Sequence, residues 1–275
     1  MGTSTSSNGP CGGISFDPPW LISEEGNRDI SPLGAEQPEL PLAPLSNSQT
    51  ENIAPRARYA LARKALNSFI SSGDRRYLKS ALGWYSRRGM GGAARLARRM
   101  TMSARMGAVA VAFFRDIADG KINPHSSWLK ELLADGSSSI DVFDKIAAKI
   151  SPEIGGIDEN SCRDSITQAL IDLETSNQDF DITNFTTGDI QSFICHFLSN
   201  EIFNRVIIDI GQSFERHLSV QEICERKDEM RGYIFYEVEK QVNNCWDENS
   251  YISQTDIVDI LKQIIHDTFS IFEGE

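Results

Sequence analysis

The sequence predicts a mainly α-helical protein, in which a helical body follows a long, irregular and extended N-terminal arm. Three observations predict this architecture. Apolar residues after position 55 recur with a period near 3.6, as they do along one face of a helix. Eight of the ten prolines lie within residues 1–55, where they disfavour helices. Residues 1–21 are rich in glycine and serine, and such a polar segment cannot bury a core of its own.

The predicted arm spans residues 1–55, and its start carries the features that point to a function. Gly2 is small enough for Met1 to be removed, which would leave a free glycine amine at the end of the arm. The small residues after Gly2 keep the backbone slim enough to thread a narrow channel, and an apolar anchor follows further along. We interpret these residues as a partner-binding tail: Thr3, Ser4, Thr5, Ser6, Pro18, Pro19 and Trp20.

A basic helical region is predicted over residues 56–150. Its first helix runs from Arg56 to Ser71, and Asp74 caps the second. Residues 89–92 read as a glycine turn. A third helix, Ala93–Asp119, is weakly interrupted at Gly107 and is apolar on nearly every side near its end.

Two shorter helices, near Ser126–Ala134 and Ile140–Ile150, complete the basic region. An acidic helical region is then predicted over residues 151–275, after a turn at Gly155 and Gly156. The sequence leaves open whether the two regions share one core.

Four helices are predicted in the acidic region. Asn160 or Ser161 caps the first, and the second spans Thr186–Ile210, although its segment 206–208 could instead form a short strand. Ser219 begins a capping box at the start of the third, which runs to about residue 243. The last helix carries an apolar face from Ile257 to Phe269.

Charge is distributed unevenly along the chain. The formal net charge is -12, yet residues 56–115 contain twelve arginines and two lysines against one acid, Asp74. Such an asymmetry indicates either a basic face for an anionic partner or two parts of the chain that attract each other.

Within this segment, the block from Arg87 to Met100 joins a glycine turn to an arginine-rich helix. Backbone amides at such a turn suit an anion, but the block is not a nucleotide-binding P-loop. Phosphates, an acidic partner and the acidic half of the chain are alternative contacts for its arginines, and a solvated face is a further alternative. The candidate anion-binding or partner-binding residues are Arg87, Arg88, Arg95, Arg98 and Arg99.

No catalytic motif stands out. The five cysteines are scattered without a CxxC pair, and the four histidines have no metal-ligand spacing, so we predict no metal, no cofactor and no enzymatic activity. Free thiols favour a reducing cytoplasm. Cys195 and His196 are adjacent on a helix, where their side chains diverge, and a buried thiol beside an imidazole is favoured over a nucleophilic pair.

Membrane association is not favoured either. No apolar run reaches the roughly 18 residues that a spanning helix requires, and the N-terminus lacks the pattern of a signal peptide. Residues 1–6 formally fit the myristoylation pattern, but no neighbouring basic stretch supports an anchor.

Two stretches together resemble a known family. The opening MGTSTSSNGPCGG…PPW and the block SRRGMGGAARLARRM are similar to the QatB family of the bacterial Qat anti-phage defence system. The resemblance covers the tail and the basic helices, about the first 115 residues. Cys11 departs from it, since a glycine or another small residue is expected there.

The resemblance implies a protein that works beside an ATPase, a QueC-like enzyme (QatC) and a TatD-like nuclease. QueC-type enzymes activate a carboxylated 7-deazaguanine with ATP and deliver an amine to it, and in defence relatives the amine can be a protein's N-terminal glycine. Gly2 is the matching residue here, which makes QatC the expected direct partner.

Three hypotheses follow from the sequence. The first is a non-enzymatic defence subunit whose Gly2 tail enters the QueC-like partner and is modified there. The second is a nucleic-acid-binding subunit that uses the arginine-rich segment. The third, a hydrolase that uses Cys195 or a carboxylate cluster, lacks any motif and ranks last.

Overall fold

A computed structural model of the chain describes residues 57–119, 124–134, 136–151, 156–215, 219–246 and 253–274. The segment Tyr59–Glu275 forms a compact unit by itself. The described residues contain helices and turns but no strand, which confirms the mainly α-helical class. Segment 206–208 is therefore helical, and its reading as a short strand is wrong.

Ten α-helices succeed one another in the described part of the chain. They are Ala60–Ser72 (α1), Arg75–Trp84 (α2), Ala93–Arg99 (α3), Thr101–Ala118 (α4), Pro124–Ala134 (α5), Ser139–Ile150 (α6), Ile157–Ser176 (α7), Thr187–Ile210 (α8), Val220–Cys245 (α9) and Gln254–Glu273 (α10). A π-helix, Tyr85–Met90, continues α2, and a 3₁₀ turn, Gly211–Glu215, continues α8.

Local capping signals set several helix starts, as expected from the sequence. The Asp74 side chain accepts a hydrogen bond from the Arg76 amide at 2.9 Å at the start of α2. Ser219 and Glu222 form the predicted capping box of α9, with the Ser219 hydroxyl accepting from the Glu222 amide at 3.3 Å.

The predicted cap of α7 is wrong. The helix begins at Ile157, ahead of both Asn160 and Ser161, and the Glu159 carboxylate accepts from the Gly156 amide at 3.0 Å. Glu159 therefore satisfies an amide that would otherwise lack a helical partner. Ser161, which the sequence offered as a cap, is buried inside the helix instead.

The predicted third helix is two helices, and they divide at Met100 rather than at Gly107. Gly107 lies inside α4 at a close crossing: a Cβ atom there would come within 2.8 Å of the side chains of Phe197 and Leu261. This glycine allows α4 to approach α8 and α10. The apolar end of α4 is buried as predicted, with Val111 and Phe114 fully enclosed.

One hydrophobic core extends from Tyr59 to Phe272 and takes residues from both the basic and the acidic part of the chain. Helix α10 packs against α2, α3 and α4, while α8 packs against α4, α7 and α9. Phe114 of α4, for example, stacks on Phe185 with 4.3 Å between ring centroids. The basic and acidic helices thus share one core, which answers the question left open by the sequence.

Candidate functional site

The candidate arginines lie on two consecutive elements that residues 91 and 92 connect. Arg87 and Arg88 are exposed at the end of the π-helix, and Arg95 and Arg98 are exposed on α3. Arg99 is half-buried. We call these five residues the arginine cluster, and four of them reach solvent on the basic part of the body.

The glycine turn within this cluster does not present its amides to an anion. Gly91 and Gly92 both adopt positive φ angles, which glycine tolerates. Their amides both donate to the Ser86 carbonyl oxygen, with Gly92 at 2.9 Å. The turn therefore closes the end of the π-helix, and anion binding here would depend on the arginine side chains.

Neighbouring groups contact the side chains of three of these arginines. The Arg87 guanidinium lies over the Trp84 ring at 5.3 Å from its centroid, a cation–π contact. The Arg95 side chain lies close to Gly91, and the Arg98 Nε donates to the Ala94 carbonyl oxygen at 3.4 Å. These contacts partly order the side chains, although all three residues are exposed.

Another arginine of the basic part contacts the acidic part of the chain. Arg63 on α1 donates from Nη2 to the Asp209 carbonyl oxygen at 3.0 Å. This contact is a hydrogen bond to a backbone carbonyl rather than an ion pair, and no described acid forms an ion pair with Arg88 or Arg95.

Cys195 and His196 are not arranged as a nucleophile and its base. Cys195 is buried on α8, and burial raises the pKa of its thiol to about 12. His196 instead has its Nδ1 3.7 Å from Asp172 Oδ2 and its ring against Phe235. Burial lowers the pKa of His196. A reactive thiolate is thus disfavoured at neutral pH.

The structure contains a buried carboxylate surrounded by three serine hydroxyls, here called the Glu201 cluster, which the sequence did not predict. Glu201 on α8 is 2% exposed, and it accepts hydrogen bonds from Ser103 at 3.0 Å, Ser161 at 3.2 Å and Ser165 at 2.9 Å. Burial raises the pKa of this carboxyl, and the three hydroxyls oppose that shift. The cluster joins α4, α7 and α8, and no local sequence signal marks it because the serines come from two distant helices.

The predicted tail is not part of the described fold. Gly2 and the tail residues Thr3, Ser4, Thr5, Ser6, Pro18, Pro19 and Trp20 lie outside the described residues. Within the described ranges, no three histidine, cysteine or acidic side chains are grouped to hold a metal ion. No helix in those ranges is long and apolar enough to cross a membrane.

A match to a protein-family model identifies the family to which this chain belongs. The model of the QatB family, described as Qat anti-phage system associated protein QatB, matches residues 91–272, about two thirds of the chain. The match extends through the acidic half, where no motif was recognisable, and excludes the tail that suggested the resemblance. No curated protein and no solved structure is significantly similar to the chain. The match assigns this chain to the QatB family of proteins associated with the Qat anti-phage system.

Proposed function

We propose that this chain is a non-enzymatic subunit of a Qat defence complex and that Gly2 is its functional end. In this proposal the N-terminal tail enters a QueC-like partner, QatC, which attaches a 7-deazaguanine to the glycine amine. The helical body holds the tail and docks it. The Qat ATPase and the TatD-like nuclease are further proposed partners, and the cytoplasm is the proposed location.

The proposal that the protein is not an enzyme is supported by the burial of Cys195, the candidate nucleophile. The Cys195 thiol is buried with a pKa near 12, and its neighbour His196 faces Asp172 and Phe235. Neither group supports a hydrolase. The defence assignment is supported independently by the family match over residues 91–272.

The chemistry of Gly2 supports the modification. An α-amine has a pKa near 8, well below that of a lysine side chain, so a useful fraction is unprotonated at neutral pH. Its nitrogen would attack the activated carboxyl carbon of the deazaguanine, the activating group would leave, and the nitrogen would lose a proton. The product is an amide, and a terminal glycine offers the least steric hindrance to its formation.

Changes at the terminus test the proposal. A serine inserted before Gly2, and separately Gly2→Val, should abolish both the modification and protection against phage. Gly12→Val is the matched control, because it adds the same side chain to the same segment without altering the amine. Equal protection by all of these variants would contradict the role of Gly2, while normal circular dichroism would show that the body still folds.

The second candidate is nucleic-acid binding through the arginine cluster, and the exposure of Arg88, Arg95 and Arg98 favours it. Their combined replacement by glutamine should weaken DNA or RNA binding, and binding by the unchanged protein should fall steeply with salt. Replacing the exposed Arg75 and Arg76 of α2 by glutamine is the control. Salt-insensitive or undetectable binding would rule out this candidate.

A further inference from the structure

The π-helix that carries part of the arginine cluster also holds the residue at which the compact body begins. Tyr59 is the first residue of that body, and its hydroxyl donates to Met90 Sδ at 3.6 Å. Its ring packs on Gly89, where an added Cβ atom would come within 2.6 Å of the ring. Both contacts are with the π-helix that carries Arg87 and Arg88, so the start of the body lies beside the arginine cluster.

Buried contacts anchor this π-helix from its inner side. The Tyr85 hydroxyl donates to Asp209 at 2.8 Å, and the Ser86 hydroxyl donates to Glu273 Oε1 at 2.5 Å. Tyr85 and Ser86 are fully buried, whereas the two arginines that follow them are exposed. A π-helix is rare and often occurs at a functional site. Here it presents two arginines to solvent from a backbone that the core holds in place.

Helix α3 adds a cation to the same surface. The Arg95 side chain lies so close to the turn that a Cβ atom added at Gly91 would be 3.1 Å from Arg95 Nη1. Gly91 directly follows the last residue of the π-helix, so Arg95 brings its charge from α3 to the end of that element. The cations of the two elements therefore form one basic surface.

The position of Arg95 is unfavourable for α3 itself. It lies in the first turn, where the unpaired amides of a helix favour acidic side chains, and α3 has no acid there. Arg99 follows four positions later, a spacing at which like charges on a helix repel. Helix stability therefore does not account for Arg95, and residues that break a local rule in this way are expected at functional sites.

The residue types on this surface favour a protein as the partner. The Arg87 guanidinium lies over the Trp84 ring, and arginine and tryptophan are enriched among the residues that dominate protein–protein binding. Nucleic acid carries one charge per about 1.7 Å of its axis, and the net charge of -12 on this chain would repel such a long polyanion. An acidic patch on a protein can be limited to the area of the cluster, and arginine binds carboxylates through paired hydrogen bonds.

We propose that the arginine cluster is the surface on which the partner that receives the tail docks, and that the partner meets it with an acidic patch. This inference rests on the tail function proposed above. The chain from Gly2 to Tyr59 can extend over at most about 200 Å, so a partner held on the cluster stays within reach of the tail. Once the partner is docked, entry of the tail becomes an intramolecular step. Docking and tail entry are therefore two separable parts of one interaction.

Association of the full chain with the purified QueC-like partner tests the docking surface by biolayer interferometry. A serine inserted before Gly2 in every protein prevents the covalent step. Arg88→Gln combined with Arg95→Gln should lower the association rate constant about tenfold at low salt and change the dissociation rate constant much less, because peripheral charges mainly steer association. Added salt should slow association of the parent protein and affect the double variant less.

A matched control removes the same charge from the other end of the same helical stretch. Arg75 and Arg76 are exposed at the start of α2, which the π-helix continues at its far end. Their combined replacement by glutamine should leave both rate constants unchanged. Circular dichroism of both double variants should match that of the parent protein, since all four side chains are exposed.

Modification kinetics separate docking from the tail chemistry. In the chain with its natural terminus, Arg88→Gln combined with Arg95→Gln should raise the KM for modification about tenfold and leave kcat unchanged, because the reacting amine is the same. Gly2→Val should abolish modification and retain salt-dependent association. Absence of modification in every form, with association still dependent on the two arginines, would refute the tail chemistry and support the docking surface.

Two results would overturn the docking surface. One is an association rate and a KM that the Arg88 and Arg95 replacements leave unchanged while Gly2 is modified normally. The other is binding of DNA or RNA that these replacements abolish while association with the partner is unchanged. The second result would assign the cluster to nucleic acid.

Discussion

The Tyr85 hydroxyl donates a hydrogen bond to the Asp209 carboxylate at 2.8 Å, across 124 positions of the sequence. Tyr85 is fully buried at the start of the π-helix, and burial, followed by the nearby charge of Asp209, raises its pKa well above the usual range. Asp209 also accepts from Arg63 through its carbonyl oxygen. This residue of the acidic half therefore anchors two elements of the basic half.

Removal of that hydroxyl should destabilise the fold. Tyr85→Phe deletes a hydrogen bond to a charged group and leaves the Asp209 carboxylate without this donor, so we expect a loss of about 1.5–3 kcal/mol in the free energy of unfolding. Urea denaturation measures it. Tyr77→Phe, which removes the hydroxyl of a tyrosine that is 45% exposed, is the control and should change little. Equal stability of the two variants would contradict the role of Asp209.

Gly107 and Gly232 should respond in opposite directions to alanine. Gly107→Ala places a methyl group 2.8 Å from Phe197 and Leu261, so overpacking should cost about 1–3 kcal/mol of unfolding free energy. Gly232 on α9 has open space around it, and alanine there should stabilise the protein by up to about 1 kcal/mol through helix propensity. Thermal unfolding of both variants checks the pair, and stabilisation by Gly107→Ala would show that the crossing is loose.

Glu201 should make stability depend on pH. Because burial raises the pKa of its carboxyl, the folded state binds this proton more tightly than the unfolded chain does. The stability it contributes is fully present below the unfolded pKa, near 4.3, and is lost as pH rises through the folded pKa. The free energy of unfolding of the unchanged protein, relative to Glu201→Gln, should therefore fall as pH is raised above about 4. If the difference in unfolding free energy between the unchanged protein and Glu201→Gln did not change with pH, the buried environment of Glu201 would be contradicted. Glu174→Gln is the control for the loss of one charge.

The cysteines should differ sharply in reactivity. Cys224 is exposed, whereas Cys162 and Cys195 are buried and have raised thiol pKa values. Iodoacetamide at pH 7.5, followed by peptide mapping, should label Cys224 at least tenfold faster than either buried thiol, since the thiolate is the reactive form. Labelling of Cys195 in the folded protein at the rate of Cys224 would revive the hydrolase hypothesis.

The fold class and most helix starts could be predicted because they depend on local patterns. The caps at Asp74 and Ser219 each involve residues two or three positions apart, so the sequence shows them directly. The sequence predicted that Gly107 weakly interrupts a helix. In the structure Gly107 instead allows close contact with two other helices, which helix propensity alone does not indicate. The division at Met100 was missed because residues 98–102 contain no glycine or proline that would mark it.

The sites were less predictable than the fold. The arginine cluster could be recognised from composition, and four of its members are exposed, but which partner contacts them stays a prediction. The Glu201 cluster was missed because it brings together three helices. Ser103 lies on α4 and Ser165 on α7, whereas Glu201 lies on α8.

The central claim is that the Gly2 amine is the reactive end of this protein. Tandem mass spectrometry of the N-terminal peptide, after co-expression with the QueC-like partner and its substrate pathway, tests it directly. We expect loss of Met1 and one deazaguanine group in amide linkage on the Gly2 nitrogen. An unmodified glycine terminus, obtained while the partner is active and the cells are protected against phage, would contradict it.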